Sequence, residues 1–301
     1  MKIGIVGMGW VGSSVAISTL HTGVATALLV HDLEAALAEG EALDLAQGAS
    51  FYPTASVRSA AIDEMTEADA VVIAAGRGGR PGESRLDLMR GNAPIVRGIA
   101  ERLVRMRGLL VIVTNPVDVM TRVATQASGL PASRVIGTGT MLDTARLRHV
   151  IGRELALDSR SIHAQVVGEH GDSEVVLWSA ARVGGVALGR WPGWTREKEP
   201  SLAGEVRCAA HEIIARKGAT NHAIGLVTAA LLRGALRDER RVLTVSRVQE
   251  GVLGIRDVAI SLPAVIGRQG ATEVIEPEMS PDEKAGFERS VDVLRQAAAQ
   301  L

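Results

Sequence analysis

His170 stands in the run Gly168-Glu169-His170-Gly171-Asp172-Ser173. An imidazole titrates near neutral pH, which suits it to pass a proton to or from an alcohol oxygen. Asp143 begins a helical pattern that could pass behind the ring and orient it, since a carboxylate favours the imidazolium. Arg146 lies three residues along the same helix face and offers a planar guanidinium fork, the group best matched to a carboxylate. Arg85 sits in a segment from Arg77 to Arg90 that holds Gly78, Gly79, Pro81 and Gly82. Such a loop could close over a site, exclude water and bring a second positive charge to polarise a carbonyl. Taken singly, each residue has a plainer explanation as a surface polar group or a turn.

A second pattern says what the proton would accompany. Gly7-Met8-Gly9-Trp10-Val11-Gly12 follows an apolar run, Ile3 to Val6, and opens a helical pattern from Val11 to His21; Asp32 ends the next apolar run, Ala27 to Val30. The first glycine permits a tight turn, the second lets backbone approach a pyrophosphate, and the third lets helix and strand pack closely. The N–H groups of Trp10 and Val11 would face the anion at the helix N-terminus. Asp32 would accept hydrogen bonds from the ribose hydroxyls and repel a 2′-phosphate, so the pattern predicts NAD rather than NADP. A hydride carrier beside a proton donor points to oxidation and reduction of a hydroxy acid.

The elements that must position these groups are legible as alternation. Further apolar runs at Ala70 to Ala75, Leu109 to Thr114 and Val135-Ile136 alternate with helical patterns at Glu34 to Gln47 and Ala93 to Met106, the βαβ signature of a parallel sheet covered on both faces. Residues 1–142 are therefore expected to form an N-terminal Rossmann domain, a doubly wound parallel α/β sheet, with a mobile active-site loop at about 77–90. Residues 143–301 are expected to form an α+β substrate domain. It would contain a helix through Glu154, extended segments at Ser161 to Val167 and Glu174 to Ala187, and helices at Leu202 to Arg216 and Ile224 to Arg237. A strand-rich stretch, Val242 to Leu262, and a last helix from Pro281 follow. Trp191 to Pro200 reads as an exposed loop.

Composition removes other classes of function. The 301 residues carry a net charge of −1, too little to hold a nucleic-acid backbone, and only seven aromatic residues, too few for base-stacking platforms. One cysteine, Cys208, makes no internal disulfide and fits a reducing, cytoplasmic location. The uncharged stretch between Lys2 and Asp32 is broken by five glycines, which argues against a membrane span or a signal peptide. No His/Cys/Asp cluster has metal-ligand spacing, so no metal is expected. Only four of the 33 basic residues are lysine.

From Gly4 to about Pro281 the chain resembles the L-lactate/malate dehydrogenase family, closer to its bacterial lactate members. The resemblance is carried by the glycine motif with Asp32, Asp44-Leu45 with Gly48, PGESRLDL at 81–88, TNPVD at 114–118, LDTAR at 142–146, GEHGDS at 168–173 and KGAT at 217–220. It implies that His170 is the proton donor and acceptor, Asp143 its orienting carboxylate, Arg146 the substrate anchor and Arg85 the loop arginine. It further implies that Asn115 and Thr220 contact substrate, and that Gly76, Val113, Asn115 and Thr138 line the NAD pocket. The family's substrate-reading position is Gly79, neither the glutamine usual for lactate nor the arginine usual for malate. L-lactate/pyruvate is the leading expectation; malate or a bulkier 2-hydroxy acid, with Arg77 or Arg80 reaching inward, stays open. So does an idle NAD-binding module. The resemblance also implies a homotetramer or homodimer, with Arg148 and His163 as a fructose 1,6-bisphosphate site across a subunit interface.

Overall fold

The computed structural model describes residues 1–79 and 85–301, Arg85 by its backbone. Arg80, Pro81, Gly82, Glu83 and Ser84, and the side chain of Arg85, lie outside the described residues. Six short strands run parallel: β1 (Lys2–Val6), β2 (Ala27–His31), β3 (Ser56–Ser59), β4 (Ala70–Ile73), β5 (Leu109–Ile112) and β6 (Val135–Gly137). Their spatial order, β3-β2-β1-β4-β5-β6, reverses direction between β1 and β4, the switch point where α/β sheets open a crevice at the carboxyl ends of the strands. Helices α1 (Trp10–Thr22), α2 (Ala35–Gln47), α3 (Arg85–Arg102) and α4 (Val117–Ser128) make the crossovers. Strand residues such as Ile3, Ile5, Val71 and Val72 are fully buried because helices cover both faces.

After β6 come α5 (Met141–Leu155), the short strands β7 (Ile162–His163), β8 (Val166–Val167), β9 (Val175–Val176), β10 (Arg182–Val183) and β11 (Val186–Ala187), and helices α6 (Glu199–Lys217) and α7 (His222–Leu236). Strands β12 (Arg241–Glu250), β13 (Arg256–Gly267) and β14 (Gly270–Val274) precede α8 (Pro281–Ala298). The fold is mixed α/β, and the strand-rich stretch near its end does not make a separate sheet. It joins β6 antiparallel through Ser246 opposite Gly137, giving a nine-stranded sheet whose two halves differ in strand direction. Two hydrophobic cores fill the faces of this sheet, and a third packs α5 and α6 on the small strands.

Three expectations are corrected. The stretch from Trp191 to Pro200 is not a free loop: Trp194 is buried, with its ring 5.8 Å from Trp178 and its indole N–H donating to Glu199. Helix α3 starts at Arg85 rather than Ala93 and keeps Pro94 inside it. Strands β4 and β5 end at Ile73 and Ile112, two residues before the apolar runs do, because the chain leaves the sheet there to form the crevice rim.

Candidate active site

The glycine turn occupies the switch point. Gly7 has φ +96°, and a Cβ there would sit 2.4 Å from Ala75 N; a Cβ at Gly12 would sit 1.8 Å from Gly7 O. Neither position admits a side chain. Gly9, in contrast, faces open space, with nothing within 4 Å of where a Cβ would stand. It caps α1; among the described residues no side chain accepts from the N–H groups of the first turn, and no acid lies in that turn. This cradle of N–H donors fits a dinucleotide pyrophosphate. Trp10 is exposed beside it and Val11 is half-buried. Asp32 is half-buried; its Oδ2 accepts from Met8 N at 2.7 Å and its Oδ1 from Glu34 N at 3.1 Å, so it pins the turn as well as facing the crevice. Gly76 packs against the methyl of Thr114, Asn115 is exposed, and Val113 and Thr138 are buried just past the carboxyl ends of β5 and β6. The residues present therefore suit NAD.

Asp143 lies in the first turn of α5 with only 2% of its surface exposed, and serves two cations at once. Its Oδ2 lies 2.5 Å from His170 Nδ1 and its Oδ1 accepts from Arg146 Nη1 at 2.9 Å. Burial alone would raise the carboxyl, but His170 and Arg146 outweigh it and hold Asp143 below the usual carboxylate range. Burial likewise opposes the imidazolium, yet Asp143, helped by Asp118, pushes His170 up to about 9. His170 keeps 23% of its side chain exposed. Arg146 spends one nitrogen on Asp143 and keeps the rest of its fork.

Three residues without an assigned role in the sequence reading also shape the site. Asp118, in the TNPVD run, accepts from His170 N at 2.8 Å; burial pushes its carboxyl up to about 6. Glu174 is buried near Asp143, His170, Arg146 and Arg207, and burial with the Asp143 charge pushes it up to about 8. Asn92 holds the two rims together: its Oδ1 accepts from Arg77 N at 2.9 Å and its Nδ2 donates to Asn115 O at 2.8 Å. Asp118 carries a sequence signal as the last residue of the TNPVD run; Asn92 and Glu174 carry none beyond their polar character.

The remaining expected residues are placed as follows. Gly79 is exposed, with Leu88 Cδ2 3.9 Å from a would-be Cβ. Arg77 does not reach inward: its guanidinium donates to Asp87 O at 2.6 Å and lies where a Cβ on Gly91 would come within 2.1 Å of it. Arg80 and the Arg85 side chain fall outside the described residues. Thr220 is half-buried after α6, in a loop tied to α1 through Asn221 and Ser14 at 2.9 Å, and no hydrogen bond joins it to His170 or Arg146. Arg148 Nε donates to Ala164 O at 3.1 Å, which sets it beside the exposed His163, with Arg241 close enough to oppose its charge. Among the described residues no group of three or more His, Cys, Asp or Glu side chains could hold a metal ion, and no helix is long and apolar enough to cross a membrane.

Comparison with known proteins agrees in both halves of the chain. Residues 1–137 match the lactate/malate dehydrogenase NAD binding domain, and residues 140–301 the alpha/beta C-terminal domain of the same family. L-lactate dehydrogenase 2 of Enterococcus faecalis is 42% identical over 307 residues, covering 100% of this chain and 97% of that protein. L-lactate dehydrogenase of Thermus aquaticus is 42% identical over 308 residues, covering 100% of this chain and 99% of that protein. The crystal structure of the minor L-lactate dehydrogenase of Enterococcus mundtii, in its ligands-bound form, superposes with a TM-score of 0.96 at 40% identity, covering 100% of this chain and 98% of that one. With both family models matched in order and relatives aligned over the full length, the chain belongs to the lactate/malate dehydrogenase family.

Proposed function

We propose that the protein is an NAD-dependent L-2-hydroxy acid dehydrogenase that interconverts L-lactate and pyruvate. The observation that carries this is the double use of Asp143, whose one carboxylate holds a proton donor at 2.5 Å and a carboxylate anchor at 2.9 Å. A 2-oxo acid laid with its carboxylate on Arg146 presents its carbonyl oxygen to His170. Arg146 binds and orients; Asp143 fixes the ring with Nδ1 inward, so Nε2 carries the transferable proton. Bound NAD supplies or takes the hydride at the carbon that bears that oxygen. Gly9, Trp10, Val11, Asp32, Gly76, Val113, Asn115 and Thr138 would hold it. In reduction His170 gives its proton to the oxygen; in oxidation it receives one. Arg85 is assigned to polarising the carbonyl, and Asn115 and Thr220 to substrate contact.

Pyruvate is favoured over oxaloacetate because Gly79 brings no cation and Arg77 is held away by Asp87 and Gly91. The L-lactate dehydrogenase names of the relatives support the same choice. The open space at Gly79 favours, as a second reading, a bulkier 2-oxo acid. Residues 1–142 are assigned to cofactor binding and 143–301 to substrate binding and catalysis.

The state of His170 sets the pH dependence and tests the assignment. Because its folded value is about 9, pyruvate reduction, which needs the imidazolium, is expected to be flat from pH 6 to 8 and to fall as pH rises through 9. Lactate oxidation, which needs the neutral ring, is expected to rise over the same range. Initial rates in both directions from pH 6 to 10 check this; a reduction rate that climbs with pH, or no turnover of pyruvate, overturns it.

The protein is further proposed to work in the cytoplasm as a homotetramer or homodimer. Leu43 on α2 and Leu226 on α7 are 64% and 65% exposed, apolar surface that a second copy would cover. Arg148 and His163, repeated by two-fold symmetry, are assigned to fructose 1,6-bisphosphate. Light scattering is expected to give a multiple of 31.6 kDa, with the bisphosphate raising the rate or the tetramer fraction. A monomer under both conditions removes the assembly, and an unchanged rate and mass remove the effector.

A further inference from the structure

Three consecutive backbone N–H groups of the histidine loop are each held by a different element. Gly168 N donates to Ser261 O on β13 at 2.9 Å, Glu169 N to Ser290 Oγ on α8 at 2.6 Å, and His170 N to Asp118 Oδ2 on α4 at 2.8 Å. Ser290 is fully buried and 121 residues from Glu169 in the chain. Hydroxyls inside helices commonly bond back to their own backbone, as Thr121, Thr125 and Thr228 do here with the carbonyls four residues earlier. Ser290 instead turns its hydroxyl outward to another element.

The protons around it can be assigned. Ser290 Oγ accepts the Glu169 N–H. Ser173 Oγ, which holds one hydroxyl proton, stands as donor to both Glu169 Oε2 at 2.5 Å and Ser290 Oγ at 3.1 Å, so that proton is shared between the two. The chain of contacts among Ser290, Ser173 and Glu169 closes on the residue next to His170. Glu169 is itself buried, so an N–H left there without an acceptor is costly and the loop would move to satisfy it.

We propose that Ser290 is a positioning residue: through the Glu169 N–H it fixes the histidine loop, so that the last helix of the chain sets the distance between His170 and Asp143. The proposal rests on His170 being the proton donor. Loss of the Oγ lets the loop shift, lengthens the contact to Asp143 and weakens the hold on the imidazolium. Substrate and cofactor contacts are left in place.

Ser290→Ala is the test, read by NMR titration of His170 and by kinetics. The expected result is a downward move of the His170 titration by about one pH unit, since the hydrogen bond to the charged form is weakened. Alongside it, kcat falls roughly ten-fold, the effect of a displaced catalytic group, while NADH affinity stays within about two-fold. Ser290→Cys, which keeps the volume and a weaker acceptor, falls between the two. Val291→Ala, an equally buried neighbour on α8, lowers the melting temperature but leaves the titration in place. The proposal is overturned by an unchanged His170 titration in Ser290→Ala, or by the same change in Val291→Ala. If Ser290→Ala does not fold, the comparison of Ser290→Cys with Val291→Ala decides in the same way. Because the titration needs no substrate, a native protein inactive on pyruvate would defeat the functional assignment while this measurement still decided the role of Ser290.

Discussion

His170→Asn lowers kcat for pyruvate reduction by about 10³-fold, within the range general acid–base catalysis supplies, and leaves NADH affinity within about two-fold. Asparagine keeps much of the volume, and its amide N–H can still donate to Asp143, so the pocket stays filled. It cannot carry a proton that titrates. His170 is also one of the two cations on the buried Asp143, so a melting curve beside the kinetics separates the loss in the chemical step from any loss of stability. The residual rate is expected to lose the fall through pH 9 that marks the native enzyme, because no group of that value remains at the oxygen. Stopped-flow turnover with saturating NADH measures both features. A kcat within ten-fold of native removes His170 from the reaction.

Arg146→Leu is expected to lower kcat/KM for pyruvate by roughly 10³-fold, since removing one partner of a buried charge pair costs about 3–5 kcal/mol and each 1.4 kcal/mol is ten-fold. Two effects add. The substrate carboxylate loses its fork, and Asp143 loses one of the two cations that keep its buried carboxyl ionised. Arg146→Lys recovers part of the loss, because an ammonium supplies the charge without the bidentate geometry. NADH affinity is unchanged in both variants. Equal activity of the leucine variant and the native enzyme on pyruvate would show that the carboxylate is bound elsewhere.

What could be read from the sequence was mostly what is local in the chain. Gly7, Gly12 and Asp32 belong to the first strand–turn–helix–strand unit, and their spacing exposes them, although what leaves no room for a side chain at Gly7 is Ala75, just past β4. Arg146 was placed beside Asp143 by the helix period. For the pairing of Asp143 with His170, 27 residues apart, the sequence offers only a helix that could pass behind the ring; the resemblance implies the pair, and the 2.5 Å contact shows it. Asp118, Asn92 and Ser290 were passed over for a related reason: each looks like a solvated position on a helix, and its contact lies 52, 23 or 121 residues away. The antiparallel extension of the sheet was hidden similarly, since its junction is the single pairing of Ser246 with Gly137. Apolar runs say that strands exist; they do not say which neighbour a strand chooses. Arg77 shows the reverse error, a charge that spacing offered to the substrate and that packing on Gly91 spends elsewhere.

The most direct test is kcat/KM of the native protein with NADH for pyruvate, oxaloacetate and 2-oxoisocaproate side by side. A neutral, open position at Gly79 with Arg77 held against α3 predicts pyruvate above oxaloacetate by at least ten-fold, since no cation on the described rim awaits the second carboxylate. Oxaloacetate equal to or better than pyruvate would contradict it and assign the protein to the malate side of the family; a clear preference for 2-oxoisocaproate would place the specificity in the space left by Gly79.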